Sequence, residues 1–136
     1  MKLQKRVLIV DDSKLGRLVL RNAVLRDSRL HVVGLAPGAQ EGLTLFEATQ
    51  PDLVIVDLEM PDMDGLEFLK KLSPDSAKSL VLAENTSHIK AILAHGADGV
   101  VVKSPKAGLP IASWQGSEIL RKIYSILGLP EPDFAY

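Results

Sequence analysis

Three short apolar runs end in charged residues, and this pattern limits the fold more than any other feature of the chain. Val7-Leu8-Ile9-Val10 runs into Asp11-Asp12, Leu53-Val54-Ile55-Val56 into Asp57 with Glu59 two residues on, and Val100-Val101-Val102 into Lys103. Runs this short and rich in Val and Ile read as strands buried on both faces. In an open parallel sheet, ligands bind outside the carboxyl ends of the strands. If these strands are neighbours, Asp11, Asp12, Asp57 and Lys103 meet at one spot. Clustered carboxylates repel unless a cation joins them. An oxygen-only cluster with open positions suits Mg²⁺, which binds one or two carboxylates, waters and a phosphate.

The 136 residues make about one domain, long enough to bury a core. With 46% apolar and 24% charged residues, the mix is that of a soluble globule. A net charge of −1 argues against a nucleic-acid footprint and against an anionic membrane partner. There is no cysteine, which excludes disulfides and thiolate chemistry and fits a cytoplasmic protein. Met1 to Arg6 is basic, but the following apolar run stops after four residues, short of the roughly 7–15 of a secretory signal. No run approaches the length of a membrane span.

Strand and helix signals alternate. Gly16, Val19, Leu20, Ala23 and Val24 stripe a first helix with Ser13 near its start. Leu30 to Leu35 reads as the second strand. Pro37-Gly38 breaks the chain, and Ala39, Leu43 and Phe46 stripe a helix that stops before Pro51. Leu66, Leu69 and Leu72 stripe a short third helix after the turn at Pro61 to Gly65. Leu80 to Ala83 is the fourth strand. Ser87 to His95 is the fourth helix, with Ile89, Ile92 and Leu93 inward and Gly96 capping it. Gly99 to Val102 is the fifth strand. Ile119, Leu120, Ile123, Ile126 and Leu127 stripe the last helix, closed by Gly128 and Pro130. The expected architecture is α/β, a doubly wound five-stranded parallel sheet with right-handed crossovers. Residues 1–128 form the domain, and Leu129 to Tyr136 is a tail or the start of a linker.

At these residues the chain resembles the receiver domain of two-component response regulators, over roughly Lys5 to Gly128. The resemblance rests on Asp11-Asp12, on the stretch from Asp57 through Glu59, Pro61 and Asp62 to Gly65, and on Lys103, in that order and each at a strand end. Val32-Val33-Gly34, Glu59 and the long segment from Ser104 to Gly116 look most like the receiver of the chemotaxis methylesterase and related stand-alone chemotaxis regulators. The likeness does not extend to an esterase domain.

The resemblance implies a flavodoxin-like (βα)5 receiver fold and a set of roles. Asp57 would be the phosphoacceptor. Asp12, Asp57 and the backbone carbonyl of Glu59 would bind Mg²⁺ directly, and Asp11 would act through water. Lys103 would pair with a phosphoryl oxygen as a mobile point charge. The donor would be a phosphohistidine on a sensor histidine kinase or phosphotransfer domain. The signal would pass to a downstream protein partner or a fused output domain, with no nucleic acid and no membrane. The chain would be an acceptor, not an enzyme, and it carries no nucleotide-binding Gly-x-x-x-x-Gly-Lys.

Three departures bear on the read-out. Receivers usually carry Ser or Thr at the end of strand four, where Ala83 aligns here, and many place an aromatic where Val100 aligns. Thr86 or Ser87 is a candidate replacement for the hydroxyl. Ser104 separates Lys103 from Pro105, where relatives usually have Lys followed directly by Pro. The alternative function is therefore a receiver-like interaction module that signals mainly by protein binding.

Taken singly, each motif has a plain reading. Asp11-Asp12 can be a polar strand end and cap, Asp57 a turn residue and Lys103 a solvated loop charge. Pro61 to Gly65 would turn in any protein. His31, His88 and His95 follow no metal-ligand spacing, and Trp114 and Phe134 read as packing or tail residues. An aspartate-nucleophile phosphatase of another doubly wound fold would want Asp-x-Asp after the first strand and a lid, and neither is present.

Overall fold

A computed structural model describes residues 4–72, 75–103 and 111–132, with the side chains of 111–115 excepted. The strands are β1 (Lys5–Val10), β2 (Leu30–Ala36), β3 (Leu53–Asp57), β4 (Lys78–Ala83) and β5 (Gly99–Val102). The helices are α1 (Lys14–Val24), α2 (Ala39–Thr49), α3 (Gly65–Lys70), α4 (Ile89–Ala94) and α5 (Ile111–Leu127). All strand pairs are parallel, in the order β2-β1-β3-β4-β5. The expected doubly wound five-stranded sheet is present.

Two apolar layers sandwich the sheet. Val7, Ile9, Leu53, Ile55 and Leu80 face Leu20 and Val24 of α1 and Ile119, Leu120 and Ile123 of α5. Leu8, Val10, Val54, Val56 and Val81 face Ala39 and Phe46 of α2, Phe68 of α3 and Ile92 of α4. Burial on both faces explains why β1 and β3 show unbroken apolar runs instead of alternation. The chain leaves β1 toward β2 and returns to β3 on the other side of β1. The sheet's switch point therefore lies at the ends of β1 and β3, where crevices form.

Local signals set the helix starts. Ser13 Oγ accepts from Gly16 N–H at 3.1 Å, and Asp64 Oδ1 accepts from Glu67 N–H at 2.9 Å. Gly96 takes a left-handed φ of 98°, which closes α4 as its position suggests.

Three helices depart from the expected pattern. In α3 the fully buried side chain is Phe68, while Leu66, Leu69 and Leu72 are only partly buried. Residues Thr86–His88 form a tight 3-10 turn ahead of α4, and Leu93 points outward, 48% exposed, because α4 turns a single buried residue, Ile92, to the sheet. The segment expected to lead into the last helix is partly helix itself: α5 begins at Ile111. Past α5, Leu129 N–H donates to the Tyr124 carbonyl at 2.9 Å, and Pro130 O accepts from Arg29 Nη1 at 2.8 Å. Among the described residues no helix is long and apolar enough to cross a membrane.

Candidate acceptor and metal site

The carboxyl edge of the sheet gathers the charged residues. Asp57 is the last residue of β3, 3% exposed, and Asp11 follows β1, 2% exposed; Asp12 beside it is open to solvent. Asp11, Asp12 and Asp57 each offer a carboxylate oxygen, all within 4.8 Å of one another. Hard oxygen donors at this separation, with one member facing solvent, fit Mg²⁺.

Strand β5 is not a direct neighbour of β3, because β4 lies between them. Lys103 N–H donates to the Ala83 carbonyl at 2.7 Å, which docks the start of the β5 loop on the end of β4. From there Lys103 Nζ reaches over β4 to Asp57 Oδ1 at 3.1 Å and also meets Glu84 Oε1 at 3.3 Å. Long, flexible lysine spans a strand that ends on the small Ala83. Glu59 N–H donates to the same Asp57 oxygen at 3.3 Å, which brings the Glu59 main chain to the site.

Charge and burial conflict here. Burial pushes the Asp11 carboxyl up, the Ser13 N–H opposes this, and the charge of Asp57 adds to it. Burial disfavours the Lys103 ammonium, but the Asp57 and Glu84 carboxylates outweigh that and hold its pKa above the usual value.

The turn after β3 does more than shape a loop. Asp62 accepts from Ala39 N–H at 3.3 Å and Gln40 N–H at 3.1 Å, capping α2 from a distant segment. The N-cap residue of α2, Gly38, has no side chain to do this. Those backbone bonds, led by Gln40, hold the Asp62 carboxyl below its usual range. Gly65 is seated where a Cβ would lie 2.8 Å from the Asp57 carbonyl, and its N–H donates to Leu58 O at 2.7 Å. The loop is thus pinned at α2 and again under the acceptor. The capping role of Asp62 has no local signal, since its partners Ala39 and Gln40 are remote in sequence.

Ala83 is buried opposite Val102 and lines a cleft of about 280 Å³ with Leu58, Glu59, Leu66 and Glu84. Val100 is half-buried against the layer that holds Ile92. Thr86 and Ser87 lie in the exposed 3-10 turn; Asn85 Oδ1 accepts from Ser87 N–H at 2.9 Å. Ser104, Pro105 and Phe134, and the side chain of Trp114, fall outside the described residues.

The family model described as "Response regulator receiver domain" matches residues 7–109. A protein-glutamate methylesterase/protein-glutamine glutaminase of Syntrophomonas wolfei is 30% identical over 88% of this chain and 36% of its own length. One from Cereibacter sphaeroides is 40% identical over 76% of the chain and 29% of its own length. The chain therefore spans about a third of these relatives. The response regulator domain of Thermotoga maritima CheB superposes with a TM-score of 0.81 at 25% identity, covering 95% of this chain and 99% of that one. A structure of the P1 domain of CheA3 in complex with CheY6 from R. sphaeroides matches at 0.75 and 31% identity, over 93% and 98%.

Proposed function

Because the chain belongs to the response regulator receiver family of two-component signalling, with chemotaxis-type homologues, we propose that it takes a phosphoryl group from a phosphohistidine onto Asp57. The observation that carries this is the buried Asp57, 3.1 Å from the Lys103 ammonium and within 4.8 Å of two more carboxylates. One Asp57 oxygen attacks phosphorus in line, and the O–P bond forms as the P–N bond breaks. The imidazole leaves with the electron pair. Lys103, already beside the acceptor, pairs with a phosphoryl oxygen. Asp12, Asp57 and the Glu59 carbonyl would hold Mg²⁺, with Asp11 acting through water. Bound there, the ion supplies neutralisation of charge on the transferring oxygens. The donor is a sensor histidine kinase or phosphotransfer domain, and the receiver of the signal is a downstream partner or fused output domain. The chain acts as an acceptor in the cytoplasm, in keeping with its lack of cysteine.

Mixing the protein with Mg²⁺ and a small phosphodonor and weighing it intact tests this. A stoichiometric gain of one phosphoryl group is expected, and none in Asp57→Asn, which keeps the shape and removes the attacking anion. Undiminished labelling of the variant would overturn the assignment. Ala83 and Val100 favour a second reading, a module that signals by binding alone; an unlabelled but folded wild-type protein supports it.

A further inference from the structure

The edge of the sheet opposite β5 carries an apolar groove. Strand β2 ends the strand order, so one of its sides is unpaired. Between it and α1 lies a cleft of about 420 Å³, whose lining includes Arg21, Leu25, His31, Val33 and Leu35. Leu25, just past the end of α1, is 50% exposed, and Leu35 of β2 is exposed too. Apolar side chains gathered beside an open sheet edge mark a place that a further segment covers.

The charge around the groove selects that segment. From Ser13 to Ala36 the chain carries Lys14, Arg17, Arg21, Arg26 and Arg29 against a single acidic residue, Asp27. Asp27 is buried and paired with Arg29, while Arg21 and Arg26 open to solvent, so the rim of the groove is positive. Two such rims repel, which disfavours a second copy seated groove to groove. The fitting occupant is acidic and apolar.

The chain carries such a segment and brings it to this edge. Glu131-Pro132-Asp133-Phe134-Ala135-Tyr136 has two carboxylates, two aromatic rings and no basic residue. In an extended segment, side chains two apart fall on one side, as Phe134 and Tyr136 would. Leu129 packs against the layer between the sheet and α1 and α5, and its N–H donates to Tyr124 O. Pro130 O accepts from Arg29 Nη1 at 2.8 Å, and Arg29 immediately precedes β2, so the chain passes residue 130 beside the start of that strand. Six extended residues span roughly 20 Å. The stretch from His31 to Leu35 spans about 13 Å, so the segment can reach along the whole groove.

We propose that residues 131–136 fold back into the α1–β2 groove, with Phe134 and Tyr136 against Leu25, Val33 and Leu35, and with Glu131 and Asp133 toward the basic rim at Arg21 and Arg26. The segment is then an intramolecular cover: the groove and the open edge of β2 are closed to a partner until it leaves. The inference does not use the phosphoryl chemistry and stands or falls apart from it.

The test is NMR on the full chain. In wild type, nuclear Overhauser contacts are expected from the rings of Phe134 and Tyr136 to the methyl groups of Leu25, Val33 and Leu35. Phe134→Ser combined with Tyr136→Ser should remove them and shift the amides of residues 31–35, while amides near Asp12 and Asp57 stay in place. Leu25→Glu sets a like charge in the groove and should move the amides of residues 133–136 to random-coil positions. A wild-type protein without these contacts leaves the groove to another partner and overturns the proposal. Amides of 31–35 that do not move in the doubly substituted chain, or amides of 133–136 that do not move in Leu25→Glu, overturn it as well. So do contacts that arise only between labelled and unlabelled copies in a mixed sample, since the occupant then belongs to a second molecule.

Discussion

Gly16 packs directly against the carboxylate of Asp11: a Cβ at this position would collide with Oδ2. The first turn of α1 therefore approaches the acidic cluster as closely as a backbone can. Asp11 Oδ1 also accepts from Ser13 N–H at 2.9 Å, so the carboxylate is held from both sides. Gly16→Ala should displace Asp11 while leaving the fold intact, because alanine is the better helix former. Loss of such an orienting contact weakens Mg²⁺ binding by about tenfold. Calorimetric titration with Mg²⁺ checks this, and an unchanged affinity would refute it.

Asp12 and Asp11 differ sharply in exposure, and this separates their expected roles. Asp12 opens to solvent and is assigned to the metal directly, while Asp11 is buried and is assigned to act through water. Asp12→Ala should weaken Mg²⁺ binding more than Asp11→Ala. Both should raise stability without metal, since each removes one of three mutually repelling charges. Urea unfolding with and without Mg²⁺ reads both effects. The reverse order of affinities would overturn the assignment.

A second charged group, far from the acceptor, sets an acid limit on stability. Arg29 Nη2 pairs with Asp27 Oδ2 at 2.7 Å, and its guanidinium lies 5.3 Å from the centroid of the Tyr124 ring. Arg29 thereby lowers the Asp27 pKa to about 2, from 3.8 for a free aspartate. A carboxylate depressed in the folded state stabilises the fold above its unfolded pKa and loses that contribution as pH falls through the folded value. Asp27 should therefore contribute about 2 kcal/mol at neutral pH, lost between about pH 4 and pH 2. Asp27→Asn should be less stable by that amount at pH 7 and equal to wild type near pH 2. Denaturant midpoints across this range would detect it, and parallel curves for the two proteins would count against the pairing.

The elements most legible in the sequence are those whose residues face one environment. Val7 to Val10 and Leu53 to Val56 are fully buried, so composition alone marks them as strands, and the charge that ends each run marks the edge of the sheet. Leu93 misled because an apolar residue one position from Ile92 carries no sign of which face the sheet covers. The start of α5 was hidden by Gly116, a poor helix former. Its position explains the choice: a Cβ there would meet Arg26 at 3.1 Å and Ala23 at 3.7 Å, so glycine lets α5 lie close to the end of α1. Asp62 and Glu84 were illegible for another reason. Their partners, Gln40 and Lys103, are fixed by the fold and not by neighbouring sequence.

The remaining prediction concerns how far the signal travels. Ala83, buried at the end of β4, offers no hydroxyl, and Val100 of β5, half-buried, offers no aromatic ring. Without the hydroxyl the phosphoryl group lacks a bond to a charged partner worth about 1.5–3 kcal/mol. Without the aromatic there is no large side chain whose inward swing would reshape α4 and β5. A ligand moves an equilibrium only by its differential interaction with the two states. The phosphoryl mimic with Mg²⁺ should therefore perturb amides near Asp12, Asp57 and the connection at Glu84 and Asn85 strongly, and those from Ile89 to Val102 only modestly. Ala83→Thr supplies a donor at the end of β4, where Ala83 lines the cleft. In that variant the perturbations across Ile89 to Val102 should grow. Large wild-type shifts there, matching those at Asp12 and Asp57, would show that Thr86 or another donor performs the switch. Shifts in Ala83→Thr no larger than wild type would show that the missing hydroxyl is not what limits the response.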